Sequence, residues 1–235
     1  MLWQPINNNI RLYILDLDGT LMPSAEVDNQ CYWQAVFECF GQQQPPPDIA
    51  GFRHVTDSGI LTEWCARALQ RDPTTDETRQ IKQRFLQLLQ DASELHPEHF
   101  HPLAGVEDWL QAVEDDPHLF AAIATGGWNH TARLKLKLSG LDRFALPLAS
   151  SDDAVARTEI MQIAAGHIQQ LHKLETTVIC YVGDGIWDLQ ASRDLDWIFI
   201  GIAGGRAAER LRNSGAAYIQ ADFTRPETDK TIGVA

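Results

Sequence analysis

Two aspartates, Asp16 and Asp18, stand one residue apart at the end of an apolar run, Ile10-Arg11-Leu12-Tyr13-Ile14-Leu15. Burying two carboxylates together is unfavourable unless a cation or a proton is shared between them. Residues i and i+2 of an extended segment point the same way, so both acids can face one site. That pattern suits a bound metal, acid/base chemistry, or both.

The acids need a scaffold that delivers them to a crevice. Ile10 to Leu15 reads as a strand buried on both faces, as in a parallel sheet. Phe120 to Ala124, Ala145 to Ala149, Val178 to Val182 and Trp197 to Ile202 read as further strands. Helical patterns lie between most of them: Trp128 to Leu138, closed by Gly140, and Glu159 to Leu171 with apolar residues at helical spacing. Strand and helix alternation predicts an α/β fold, a Rossmann-like, doubly wound parallel sheet whose ligands bind outside the carboxyl ends of the strands. The stretch from Met22 to His101 breaks the alternation with successive helices, Val27 to Phe40, Thr56 to Gln70 and Asp76 to Leu89, and a proline-rich loop at 45–47. The expected organisation is a core of residues 1–21 and 102–235 with an all-helical cap domain, 22–101, inserted between the first two strands.

Composition narrows the chemistry. A formal net charge of -13 disfavours binding of nucleic-acid backbones, which relies on Lys and Arg clusters, and favours small-molecule chemistry. Cys31, Cys39, Cys65 and Cys180 form no Cys-x-x-Cys pair and read as buried thiols of a reducing compartment. Met1 to Asn7 lacks the features of a signal peptide, no run reaches membrane-spanning length, and a cytoplasmic setting follows. Pro226 to Ala235 reads as a frayed tail. His96, His99 and His101 are interrupted by Pro97 and read as part of the return from cap to core rather than a metal site. Trp33 and Phe37, four apart, read as packing residues.

Asp16-Leu17-Asp18-Gly19-Thr20-Leu21 resembles the Asp-x-Asp-x-Thr signature of the haloacid dehalogenase-like (HAD) hydrolase superfamily, whose members are mostly Mg-dependent phosphatases. Ile123-Ala124-Thr125-Gly126-Gly127 is similar to its second motif, and Val182-Gly183-Asp184-Gly185-Ile186-Trp187-Asp188 to its acidic fourth motif. The third motif departs from the common Lys-Pro pattern. Arg157, in Ser150 to Ile160, is the matching cation, with a different fork geometry. Lys135 and Lys137 are alternatives that read as charges on the solvated face of a helix. The branch most alike is that of phosphoglycolate phosphatases and β-phosphoglucomutases with a helical cap of the C1 type.

The resemblance implies a role for each residue. Asp16 is the nucleophile that forms an aspartyl-phosphate, and Asp18 protonates the leaving oxygen and then activates water. Mg²⁺ is held by Asp16, the main-chain carbonyl of Asp18, and Asp184, with Asp188 orienting this shell from behind and Thr20 bracing the loop by hydrogen bonding. Thr125 and the Gly126 N–H bind phosphoryl oxygens, and Arg157 offsets charge and restrains Asp16. The cap selects the substrate, with Arg53 and His54 as candidate contacts; the rival reading has Thr56 and Asp57 capping a helix and both residues simply exposed. The implied activity is hydrolysis of a small phosphorylated metabolite, phosphoglycolate-like or a sugar phosphate. A β-phosphoglucomutase-type phosphomutase and a non-catalytic binding or regulatory protein on the same fold are the alternatives. Dehalogenation fits less well because Asp18 suits phosphoryl chemistry, and phosphonate cleavage because Lys82 is the only amine in the cap. The oligomeric state is left open.

Overall fold

The computed structural model describes residues 10–174 and 178–224. The segments Met1 to Asn7 and Pro226 to Ala235 lie outside the described residues. Six strands form one parallel sheet: β1 (Arg11–Leu15), β2 (Leu119–Ala124), β3 (Leu148–Ala149), β4 (Val178–Gly183), β5 (Ile198–Ile202) and β6 (Tyr218–Gln220), in the order β3-β2-β1-β4-β5-β6. The order reverses direction between β1 and β4, the topological switch point where such sheets open a crevice. Leu15 is level with Ile123 on one side and Val182 on the other, so all three central strands end together.

Each strand feeds both faces, as the period of two requires. Tyr13, Leu15, Ile123 and Val182 pack with Trp109 and Leu110 of α4 (Val106–Asp115) and Leu136 of α5 (Asn129–Leu138). Leu12, Ile14, Ala122 and Tyr181 pack on the opposite face with α6 (Arg157–His172), α7 (Ile186–Asp194) and α8 (Gly205–Asn213). This is the doubly wound arrangement expected from the alternation.

Between β1 and β2 run α1 (Ala25–Phe40), α2 (Asp57–Leu69) and α3 (Thr75–Leu95). They share a separate apolar cluster built around Trp33, Phe37, Trp64 and Phe85. Trp33 and Phe37 are therefore packing residues, stacked with ring centroids 5.4 Å apart. Trp128, from the segment after β2, inserts into the same cluster. Thr74 and Glu77 form a capping box that starts α3, and Gly41 ends α1 at φ 62°. The chain leaves and re-enters the sheet layer at one place, because the Leu103 N–H donates to the Leu21 carbonyl at 2.8 Å.

Several boundaries differ from the sequence pattern. Only Leu148–Ala149 of the 145–149 run is a strand, because Leu141–Phe144 forms a 3-10 turn and Ala145 takes φ 47°. The α3 helix continues to Leu95 through a polar face with little apolar period, and α4, α7, α8 and the three-residue β6 have no counterpart among the predicted elements. The four cysteines are free; Cys39 is half-buried and the others buried. No helix among the described residues is long and apolar enough to cross a membrane.

Trp128 ties the helical cluster to the end of β2, and its indole N–H donates to Ser58 at 2.9 Å. Trp128→Ala should reduce unfolding free energy by about 3–5 kcal/mol in denaturant titrations. A loss under about 1 kcal/mol would mean that the two layers are not coupled through this side chain.

Candidate active site

The end of β1 is tied to β4 before it turns. The Asp16 N–H donates to the Val182 carbonyl at 2.9 Å. The chain then reverses through Leu21 N–H to Leu17 O (2.9 Å) and Gly19 N–H to Met22 O (2.8 Å). Gly19 adopts φ 81°, and a Cβ there would collide with the Asp184 carboxylate. Glycine is thus required twice at this position, for conformation and for contact.

Asp184 follows β4, and Asp188 lies in the first turn of α7, where it accepts the Gly185 N–H at 2.9 Å. One oxygen each of Asp16, Asp184 and Asp188 lies within 4.8 Å of the others. Burial and then Asp188 push Asp16 well above the carboxylate range, although Arg157 opposes the shift. Burial and then Asp188 also push Asp184 up to about 7. A cluster of carboxylate oxygens that crowded fits a hard divalent cation such as Mg²⁺, which would offset the repulsion.

Arg157 is the counter-charge already present. It is the first residue of α6, a helix end where a cation is electrostatically unfavourable, so its position needs other support. Nη1 lies 3.3 Å from Asp16 Oδ1, 3.0 Å from Asp188 Oδ1 and 3.3 Å from the Tyr181 hydroxyl, and Nη2 donates to the Val55 carbonyl at 2.8 Å. Burial works against its charge, but Asp188, Tyr181 and Asp16 outweigh it and hold the guanidinium above its ordinary pKa. Gly126 is glycine because a Cβ would lie 2.5 Å from Arg157 Nη2. Thr125 is buried beside it, with Oγ1 accepting the Gly127 N–H at 3.0 Å.

The structure brings Asp16, Asp18, Thr125, Gly126, Arg157 and Asp184 onto one cavity of about 150 Å³. Asp188 is wholly buried and contacts Arg157 and Tyr181. Thr20 is buried, but its hydroxyl has no hydrogen-bond partner among the described residues. The expected side-chain brace is absent, and the link Thr20 makes is its N–H to Leu17 O, at 3.3 Å. Arg53 and His54 line an adjacent cavity, and the loop presents Val55, Thr56 and Asp57 to the acid-lined one instead. Thr56 caps α2 through the Gly59 N–H.

Lys135 corrects the expectation of a solvated face. It is wholly buried and donates to Asp18 Oδ2 at 2.5 Å and to Asp28 Oδ1 at 2.6 Å. The physical reason is tertiary: Asp18 of the strand-end loop and Asp28 of α1 converge on its ammonium, and α3 also packs on α5. Lys137 is exposed. Burial would lower the Lys135 pKa, but Asp18 and Asp28 overcome it and hold the ammonium charged. Asp18 Oδ1 also accepts the Ser24 hydroxyl at 2.5 Å, so both its oxygens are held. The sequence singled out neither Asp28 nor Tyr181, and it offered Asp57 only as a helix cap and Lys135 only as an alternative cation; the Asp28–Lys135 contact joins residues 107 positions apart, which no local pattern shows.

The sequence model of the haloacid dehalogenase-like hydrolases matches residues 13–202. A hydrolase from Pseudomonas syringae superposes with a TM-score of 0.68 at 20% identity, over 91% of this chain and 94% of that one. CbbY from Rhodobacter sphaeroides, solved in complex with phosphate, gives 0.66 at 16% identity, over 91% and 95%. A predicted phosphoglycolate phosphatase from Haemophilus somnus gives 0.59 at 16% identity, over 93% and 96%. These likenesses show a shared fold. No curated protein matches the chain.

Removing the Lys135 ammonium leaves two carboxylates facing each other under cover. Lys135→Met should cost about 3–5 kcal/mol of stability, with part recovered on adding Asp28→Asn. Additive losses in the double variant would contradict the pairing. Asp16 and Asp184 retain protons in the folded chain at pH values where the unfolded chain has released them. Without divalent cations, stability therefore falls as pH rises between the unfolded pKa and the raised folded values, and chelated protein should melt lower at about pH 8 than at about pH 6. Mg²⁺ should raise Tm most at the higher pH. A shift independent of pH would contradict the proposed link to these carboxylates.

Proposed function

Since the chain belongs to the haloacid dehalogenase-like hydrolase family, we propose that it is a Mg²⁺-dependent phosphatase of a small phosphorylated metabolite, working through an aspartyl-phosphate on Asp16. The observation that carries this reading is one cavity wall on which a carboxylate cluster adjoins Thr125, Gly126 and Arg157. A phosphate monoester is a dianion, and it needs its charge offset and its attacker placed before reaction.

Asp16 attacks phosphorus as the bond to the leaving oxygen breaks, and Asp18 gives that oxygen a proton. Water then attacks the phosphoryl group, Asp18 takes the proton back, and phosphate leaves a regenerated Asp16. Thr125, the Gly126 N–H and Arg157 hold phosphoryl oxygens, and Arg157 also restrains Asp16. Mg²⁺ would be held by Asp16, Asp184 and the Asp18 carbonyl, and when bound it supplies charge neutralisation at the carboxylates and phosphoryl oxygens.

We divide the chain into a core of residues 1–21 and 102–235 and a cap of 22–101, a division supported by the Leu103–Leu21 hydrogen bond and the separate apolar cluster of α1 to α3. The cap docks over the cavity through the start of α2. Asp57 N–H donates to Gly126 O at 2.8 Å, Trp128 N–H to Asp57 Oδ2 at 2.8 Å, and Ser58 N–H to Ser151 Oγ at 2.8 Å. Such cover excludes bulk water from the first step and lets the cap select the leaving group. Phosphoglycolate-like esters and sugar phosphates are the two substrate types in view, in a cytoplasmic setting.

The test is phosphate release over a panel of metabolite esters with and without Mg²⁺. Asp16→Asn should lower kcat by about a thousandfold or more. Asp18→Asn should lose about 10²–10⁴-fold on alkyl esters and less on p-nitrophenyl phosphate, whose leaving group needs no proton. No release from any ester by the Mg²⁺-replete protein, or full activity in Asp16→Asn, overturns the reading. Labelled phosphate passing to a second sugar hydroxyl instead of water would make the enzyme a mutase.

A further inference from the structure

The cap side of the acid-lined cavity is rich in acceptors. Asp28 and Asn29 approach from α1, the Asn29 amide adding a neutral donor as well as an acceptor, and Thr56 and Asp57 approach from the start of α2. The Tyr32 hydroxyl proton is directed to Asp57 O at 2.8 Å and that of Thr56 to Val155 O at 2.8 Å, so neither is free for a ligand. Asp57 Oδ2 accepts the Trp128 N–H, and Asp28 Oδ1 accepts Lys135.

Cations are scarce by the same inventory. Among the described residues lining the cavity, the one cationic side chain is Arg157, which is engaged by Asp16, Asp188 and the Val55 carbonyl. Lys135 lies wholly buried behind Asp18 and Asp28, which share its single charge, and it does not line the cavity. Arg53 and His54 line the neighbouring cavity.

A carboxylate on the leaving group only accepts hydrogen bonds. It would shed its water beside the Asp28 carboxylate, whose pKa burial pushes up only to about 6, and the Asp57 carboxyl, which burial holds well above the carboxylate range, and it would find no free cation, which is the costly way to bury a charge. A hydroxyl or an ammonium group has protons to give to Asp28 and Asp57. On the phosphatase reading above, we infer that the leaving group is a non-anionic hydrogen-bond donor, a polyol or amino alcohol, and that the cap face repels esters carrying a carboxylate. Asp28 is the specificity-determining residue, because its charge is only shared, not cancelled, by Lys135.

The experiment compares kcat/KM for glycerol 1-phosphate, phosphoethanolamine and 2-phosphoglycolate at saturating Mg²⁺, in the wild type and in Asp28→Asn. At least one of the first two esters should exceed 2-phosphoglycolate by about tenfold or more in the wild type. The relative preference of the two favourable esters tells whether a hydroxyl or an ammonium group is the better donor. Asp28→Asn should narrow the gap to 2-phosphoglycolate severalfold. The ratio is taken within one preparation, so a smaller folded fraction cancels. A wild type that prefers 2-phosphoglycolate or treats the esters alike, or an Asp28→Asn ratio that does not move, overturns this inference while leaving the phosphatase reading intact. Failure to hydrolyse any of a wide panel of esters overturns that reading and this one with it.

Discussion

The structure depends on the crowding of buried carboxylates at the switch point between β1 and β4. Asp16, Asp184 and Asp188 each raise the cost of ionising another, and one arginine cannot cancel the three. Much nearby geometry follows from holding that arrangement together. Gly19 leaves room for Asp184, Gly126 leaves room for Arg157, and the Tyr181 hydroxyl lies within 3.3 Å of both Arg157 and Asp188. Such a cluster would be a poor choice for stability alone, since a well-packed apolar replacement is often no less stable. On the function proposed above, its use is to receive a cation and a phosphoryl group.

The helical cover extends the same electrostatics. Lys135, on α5, joins Asp18 of the strand-end loop to Asp28 of α1, so the position of the cover and the position of the Asp18 carboxylate are mechanically linked. The hydrogen bonds from α2 to the loops after β2 and β3 hold the cover against those same loops. A substrate that displaced α1 or α2 would therefore alter the surroundings of Asp18. The contacts that hold the cover and those that hold Asp18 form one connected set.

The strand ends were legible in the sequence because their signals are local. An apolar run followed by acids or small polar residues marks β1, β2 and β4, and the parallel sheet then brings Asp16, Thr125 and Asp184 together. Arg157 was assigned by resemblance to the family's third motif, and it does reach Asp16. What escaped recognition was settled by tertiary packing. The surroundings of Lys135 are set by Asp18 and by Asp28 of α1, 117 and 107 positions away, and no local spacing shows that. The loop expected to meet a substrate reaches the acid-lined cavity through Val55, Thr56 and Asp57, whereas Arg53 and His54, the residues singled out, line the adjoining hollow. The two-residue β3 and three-residue β6 are too short to carry a period.

The central claim is that Asp16 is poised, beside a divalent cation site, to carry a phosphoryl group. Beryllofluoride binds such a carboxylate as a mimic of aspartyl-phosphate and needs no knowledge of the substrate. Fluorine NMR should show a bound adduct with the wild-type protein only when Mg²⁺ is present, and none with Asp16→Asn. An adduct that survives Asp16→Asn, or its absence from wild-type protein saturated with Mg²⁺, would contradict the account.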